Sequence, residues 1–294
     1  MGAYGDDDQG GLAGSAYVFK RDLTTWTQIK KLLDDQVSQD RFGYAVAIAG
    51  DYAAVTARDD DEAVVDQGVV YFYYRLQGGA DNWGKLQRVW AGDARTGDKL
   101  GSSVDLFGDY AIVGAPNHDL DAGDLNTNEG AAYVLTRSGS VWSVTKKLMP
   151  ADLPAGGLFG SAVAITDLYA AAGAPAPSLA SIFTNDGGLW TEARITAPGG
   201  LAVDAFGSSL DLDGSYAVIG APQYGAADAG AVYLFEREAG QWAFKKRLAP
   251  LDAADGDQFG WSAAVTGNWF LAGSYYAEVS ALADAGAAYF GERR

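Results

Sequence analysis

The chain has 294 residues, 48% hydrophobic and 20% charged, with no cysteine and a formal net charge of −17. The lack of cysteine removes disulfide and thiolate chemistry, and the acidic balance excludes a nucleic-acid partner, whose phosphates need a basic face. No run of about 18 apolar residues occurs, so no membrane-spanning helix is expected, and 39 glycines favour tight turns over long helices.

Residues 1–36 open on Gly2-Ala3 and then carry two candidate strands, Gly14-Ser-Ala-Tyr17-Val-Phe19 and Trp26-Thr-Gln-Ile-Lys-Lys-Leu32. Residues 37–94 place a hairpin before such a pair. In FGYAVAIAGDYAAVTAR, from Phe42, Val46 and Ile48 alternate with the small Ala45 and Ala47, Gly50-Asp51 makes a turn, and a return strand starts at Tyr52. A third strand follows at Gly68-Val-Val-Tyr71 and a fourth opens at Trp83.

Residues 95–153 repeat the unit as LGSSVDLFGDYAIVGAP from Leu100, Gly130-Ala-Ala-Tyr133 and Trp142 to Leu148. Residues 154–200 carry FGSAVAITDLYAAAGAP from Phe159, a degenerate third strand from Ser178 to Phe183, and Trp190. Residues 201–253 carry FGSSLDLDGSYAVIGAP from Phe206, Gly230-Ala-Val-Tyr233 and Trp242 to Leu248. Residues 254–294 hold FGWSAAVTGNWFLAGSY from Phe259 and Gly286-Ala-Ala-Tyr289, with no tryptophan strand after them.

The five hairpins start 58, 59, 47 and 53 residues apart, close to the roughly 40–50 residues of a four-stranded propeller blade. Return strands such as Ala111-Ile112-Val113 are apolar on both faces, as in strands sandwiched between sheets. Lysines concentrated on the fourth strand mark the outer edge, where charge discourages pairing with another chain. The expectation is an all-β protein: one β-propeller domain over 1–294, of four-stranded antiparallel blades. It has six repeats, incomplete at both termini, giving five or six blades. A valine at Gly220, in one of the Gly-Ala-Pro corners, is expected to cost roughly 1–3 kcal/mol by overpacking.

Acidic residues gather between the second and third strands, as in Asp6-Asp7-Asp8 and Asp59-Asp60-Asp61-Glu62. The longest such loop runs from Asn117 to Glu129. Its alternating oxygen side chains, central Gly123 and late glutamate make Asp119, Asp121, Asp124 and Glu129 a candidate calcium set. The glutamate spacing departs from the EF-hand, so a solvated acidic loop is the plainer reading. His118, the one histidine, is expected to be exposed, and without partners it makes neither a triad nor a zinc site. Asp105 and Asp211 share one position of the inner strand and are expected to face channel water. The repeated tryptophans and tyrosines read as packing residues, whereas Trp90, Trp261 and Tyr275-Tyr276 fall outside the pattern and are candidate binding aromatics.

Phe206-Gly207 with Gly220-Ala221-Pro222, together with Gly114-Ala115-Pro116 and Gly173-Ala174-Pro175, resembles the FG-GAP repeats of integrin α-subunit propellers. The chain is more similar still to FG-GAP repeats of bacterial secreted and surface proteins. The repeat, the absence of a catalytic constellation, the lack of cysteine and the acidic surface together favour a non-enzymatic module of adhesion, binding or structure, extracellular or at the cell surface, and the resemblance implies a bacterial source. The incomplete terminal blades imply partners in other copies of the chain or another protein, and a surface glycan is the other partner considered. A carbohydrate-binding lectin is the second reading, and a glycosidase or other hydrolase using a carboxylate pair the third. Many FG-GAP propellers hold calcium in an Asp-rich loop between the first two strands. Here that loop is cut to two or three residues, such as Gly50-Asp51 or Gly267-Asn268, too few to supply six to eight oxygens.

Overall fold

The computed structural model describes residues 1–33, 39–120, 127–225, 227–278, 282 and 284–292. Regular structure among them is all β-strand apart from one 3-10 turn at Ala202–Asp204. Two compact units, Met1–Leu148 and Met149–Arg294, hold three sheets each.

In the first unit, sheet 1 contains β1 (Gly2–Ala3), β2 (Ser15–Asp22) and β3 (Thr25–Leu32). Sheet 2 contains β4 (Phe42–Ala49), β5 (Tyr52–Ala57), β6 (Val69–Tyr74) and β7 (Gly84–Val89). Sheet 3 contains β8 (Ser103–Phe107), β9 (Tyr110–Ala115), β10 (Ala131–Ser138) and β11 (Val141–Leu148). In the second unit, sheet 4 contains β12 (Val163–Ile165), β13 (Tyr169–Ala174), β14 (Leu179–Asp186) and β15 (Leu189–Thr196). Sheet 5 contains β16 (Ser209–Asp213), β17 (Tyr216–Ala221), β18 (Ala231–Glu238) and β19 (Gln241–Leu248), and sheet 6 contains β20 (Phe259–Thr266), β21 (Trp269–Ser274) and β22 (Ala287–Glu292). Every sheet is an antiparallel meander in sequence order, so the fold is an all-β propeller of six blades, the first and last three-stranded. The lysine-bearing fourth strand lies at a sheet edge in each blade that has one.

The repeated Phe-Gly and Gly-Ala-Pro motifs meet at two kinds of contact. Within a blade, the Gly207 N–H donates to the Gly220 carbonyl at 2.9 Å, and Gly160 to Gly173 likewise. Between blades, a β-carbon built on Gly2, Gly173 or Gly220 would overlap the carbonyl oxygen of Gly43, Gly207 or Gly260, the Phe-Gly glycine of the next sheet. Glycine is needed there for closeness of approach. In sheet 2 Thr56 takes this place, and its hydroxyl donates to the Gly101 carbonyl at 2.7 Å. Aromatics of the Phe-Gly motif are laced backward too: Phe42 N–H donates to Ala13 O at 3.0 Å, Phe259 N–H to Ala229 O at 2.9 Å, and Phe206 N–H to the Ser178 hydroxyl at 2.9 Å. Phe42, Phe206 and Phe259 are buried, each edge-on to the third-strand Tyr71, Tyr233 or Tyr289 of its own sheet.

The third and fourth strands share a β-bulge at one place in four blades, between Val18 and Phe19, Phe72 and Tyr73, Val134 and Leu135, and Leu234 and Phe235. Sheet 4 pairs β14 with β15 without a register shift. The cause is legible in spacing: Trp26 and Leu32, like Trp142 and Leu148, are six residues apart, whereas Trp190 and Ile195 are five apart. A bulge adds local twist to an edge strand and spoils it as a template for pairing.

Candidate functional site

Four residues beyond the corner glycine, or Thr56 in its place, the first three blades put Asp6, Asp60 and His118. Asp6 accepts from the Ser15 hydroxyl at 2.6 Å and the Tyr17 hydroxyl at 2.9 Å, and Lys31 lies 2.9 Å away. The Ser15 bond foremost, then Lys31, holds the Asp6 carboxyl well below its usual range. Asp60 is buried, accepts from the Tyr71 hydroxyl at 3.0 Å and the Glu62 N–H at 2.9 Å, and has its pKa pushed up by burial.

Because the folded pKa of Asp60 is raised, its ionisation works against the fold, and this cost is relieved as pH falls through the raised value. The Tyr71 hydroxyl offsets part of that cost, and its bond is stronger to the charged carboxylate than to the protonated acid. Tyr71→Phe is therefore expected to lose about 2 kcal/mol at neutral pH, the range for a hydrogen bond to a charged group. Urea titrations at pH 7 and about pH 4 check this, with a smaller loss expected at the lower pH.

His118 departs from its sequence expectation. It is 1% exposed, with Nδ1 2.8 Å from Asp98 Oδ2 and Nε2 2.6 Å from Lys147 Nζ. An ammonium only donates, so Nε2 accepts from Lys147 and the ring proton sits on Nδ1, facing Asp98. Tyr133 then donates to Asp93 at 3.0 Å, and Lys147 also reaches Asp93, at 2.8 Å. With both nitrogens engaged, this histidine pins a loop as the aspartates do in the first two blades.

Asp119 and Glu129 are buried as well, against the expectation of a solvated loop. Asp119 Oδ1 accepts from the Asn128 N–H at 2.8 Å, and Glu129 Oε2 from the Thr127 hydroxyl at 2.7 Å and the Leu120 N–H at 3.1 Å. These two carboxylates tie residues 119–120 to residues 127–129. Asp121 and Asp124, the other candidate calcium ligands, lie outside the described residues. Among the described residues no group of three or more His, Cys, Asp or Glu is arranged to hold a metal.

Asp211, expected to face channel water, is held by backbone donors. It accepts from the Val265 N–H of the next sheet at 2.8 Å and from the Leu212 N–H at 2.8 Å, and burial pushes its pKa up. Asp105, half-buried, accepts from the Leu106 N–H in the same way.

One more residue repeats just ahead of the Phe-Gly aromatic, upstream of the 17-residue segments. An aspartate stands two positions earlier in four of five copies (Asp40, Asp98, Asp204 and Asp257), and all four are buried. Asp98, Asp204 and Asp257 accept from the N–H three residues back, from Arg95, Leu201 and Ala254 at 2.7–2.8 Å. This closes a turn whose next residue has positive φ, 57° at Lys99 and 53° at Gln258.

Most repeat aromatics are packing residues, as expected. Trp142 stacks on Phe72 of the preceding sheet at 4.3 Å and 8°, and Trp242 meets Tyr169 of its preceding sheet edge-on at 5.3 Å. Trp26 differs. Sheet 1 has no preceding sheet in the first unit, and this indole is 63% exposed. The aromatics outside the pattern divide: Trp90 is exposed on the first unit, while Trp261, Tyr275 and Tyr276 form one exposed cluster on the second.

The two three-stranded sheets have open edges. Beside β2, strand β1 pairs only at Ala16 and Ser15, and Met1 extends this by exchanging backbone bonds with Tyr17. In four other sheets the N–H matching that of Arg21 donates to the hairpin of the first two strands, as Arg75 does to Asp51 O and Arg237 to Ser215 O. Beside β2 that place is an apolar slot of about 520 Å³, lined by Met1, Val18, Trp26, Val46, Ile48 and Val55 among others. In sheet 6, among the described residues, β22 pairs with β21 and with no other strand, and Phe290, Trp269 and Leu271 stand exposed.

Bladed sheets sharing one seam and ending in open strand edges define a propeller-type repeat protein. The FG-GAP repeat model matches residues 26–73, 83–135, 190–235 and 242–290, more than half of the chain, and the chain belongs to that family. No curated protein matches the sequence. Each match runs from the fourth strand of one blade through the third strand of the next. The stretch between the second and third matches contains β14, where Ser181 replaces the repeated tyrosine.

Proposed function

We infer that this chain is a non-enzymatic binding and structural module, working outside the cell, that joins a second copy of itself by pairing open sheet edges. The observation that carries the reading is the apolar slot beside β2, where the edge of β2 that faces away from β3 has no strand partner past Tyr17 among the described residues. An unpaired edge next to an apolar slot is a site for strand addition, in which backbone bonds give affinity and side-chain pockets give register. The exposed edge of β22, with its apolar Phe290, Leu271 and Trp269, is the complementary surface on the second copy. Such a contact is heterologous, so copies add head to tail and form open filaments unless the rotation closes a ring. The acidic, cysteine-free composition accords with a place outside the cell.

Light scattering across a concentration series tests the proposal. The expected mass rises above 30.8 kDa with concentration, and Phe19→Pro, which removes a backbone donor of β2, abolishes the rise. A mass fixed at 30.8 kDa throughout would overturn the self-association reading.

A further inference from the structure

The geometry points to a saccharide-binding site on sheet 6, built from Trp261, Tyr275, Tyr276 and the buried hydroxyl of Ser274. The cavity touches the start of β22 at Ala287 and Ala288, but its rings come from β20 and from the residues after β21, and the proposal does not rest on self-association. Trp261 and Tyr275, 50% and 57% exposed, lie near-parallel with ring centroids 5.2 Å apart and 26° between planes. Tyr276 stands perpendicular to Tyr275 at 4.7 Å and 89°, so the three rings make a platform and a wall. They border a cavity of about 660 Å³, within the size range of small-molecule sites.

Two observations distinguish this cluster from ordinary packing. The first is Ser274: it lines the cavity, is 1% exposed, and its Oγ has no hydrogen-bond partner. A buried hydroxyl left unpaired costs free energy until something bonds to it, so it points to a ligand with a polar group at that depth. The second is the repeat itself. In blades three, four and five the positions of Trp261 and Tyr275 are Ser102 and Pro116, Ser161 and Pro175, and Ser208 and Pro222. The seam therefore closes without aromatics, and the rings of blade six are surplus to it. The cavity floor is Gly273, the corner glycine. A β-carbon there would meet only the Ser262 side chain and, at 3.9 Å, the Ala287 carbonyl, where Gly173 and Gly220 are capped by the next sheet.

The ligand class follows from the lining. Exposed indole and phenol faces are electron-rich and apolar, suited to the C–H face of a sugar ring, while hydroxyls at the ring's edge can bond Ser274, Ser262 and a backbone carbonyl. Asp284 is the charged residue of the lining, and no lysine or arginine is among the lining residues. With the chain at −17 overall, uronic-acid and sulfated glycans are repelled, so the ligand is a neutral saccharide.

Calorimetric titration of the full chain with cello-, manno-, xylo- and chito-hexaose, and with oligogalacturonate as the anionic counterpart, tests this. At least one neutral hexasaccharide is expected to bind with Kd below about 1 mM. Trp261→Ala and Tyr275→Ala should each weaken it about tenfold or more, and Ser274→Ala to a similar degree, with thermal melts reporting the fold. Trp90→Ala, on the other unit, should leave binding unchanged. Should Trp261→Ala not fold, the Tyr275 and Ser274 variants decide. The proposal fails if no neutral hexasaccharide binds, if oligogalacturonate binds as well as they do, or if binding survives the variants. It fails as well if the variants abolish self-association while no sugar binds, which would make the cluster a protein contact.

Discussion

Gly220→Val should lower stability by about 3 kcal/mol or more, at or above the top of the range for overpacking a tight site. A β-carbon at Gly220 would overlap both the Gly260 carbonyl oxygen and the Ser209 hydroxyl. The first belongs to the backbone of the next sheet and cannot rotate away, so relief requires two sheets to separate. The Ser209 hydroxyl already donates to that same carbonyl, at 2.8 Å. Sheet 2 shows how a larger residue is tolerated: Thr56 turns its hydroxyl toward the carbonyl it crowds. Gly220→Thr should accordingly be less damaging than the valine of nearly equal size. Gly92, with nothing within 4 Å of a β-carbon, is the control, and its alanine variant should stay within about 0.5 kcal/mol of the parent in a urea titration. A valine variant as stable as the alanine control would show that the seam opens freely.

Trp142→Ala should cost about 3–5 kcal/mol and Trp26→Ala well under 1 kcal/mol, although the two residues occupy the same place in the repeat. Trp142 is 1% exposed and stacked flat on Phe72, and both its backbone N–H and its carbonyl bond the side-chain amide of Gln87 at 2.9 Å. Removing its ring opens a cavity between two sheets that the hydrogen bonds to Gln87 still hold together. Trp26, by contrast, is largely exposed. Denaturant midpoints for the two variants give the comparison, and equal losses would contradict the account of the tryptophan as a contact with the preceding sheet.

The recurrence of aromatic, glycine and turn positions made the blade readable from sequence, because each blade needs the same residues for the same packing reason. Even the missing bulge of sheet 4 was there to read, as one residue fewer between Trp190 and Ile195. The polar contacts were less legible. His118 looked like a solvent-facing loop residue because its partners, Asp98 and Lys147, lie 20 and 29 positions away and only the fold brings them together. Asp211 looked like a lone channel carboxylate because its donor, Val265 N–H, is a backbone group of another sheet and leaves no mark in composition. Trp261, Tyr275 and Tyr276 were found by the opposite signal, as departures from the repeat, and they did come together. The orphan hydroxyl of Ser274 beside them carried no sequence signal, since serine at that place is a small change from the alanine of other copies.

Within each unit, the backward lacing of Phe-Gly segments and tryptophans onto the sheet before them bears on how the chain is made. Within each unit, the surfaces that receive a new sheet lie on the second and third strands of its predecessor: Gly2 for Gly43, Phe72 for Trp142, Tyr169 for Trp242. All of them leave the ribosome before the residues that will cover them. A nascent chain can therefore lay down each blade on a template already finished, through contacts only some tens of residues apart, a favourable arrangement for rapid folding with little exposed intermediate. Translation order and assembly order coincide within each unit, and a pause between two repeats would strand a blade with its receiving face complete.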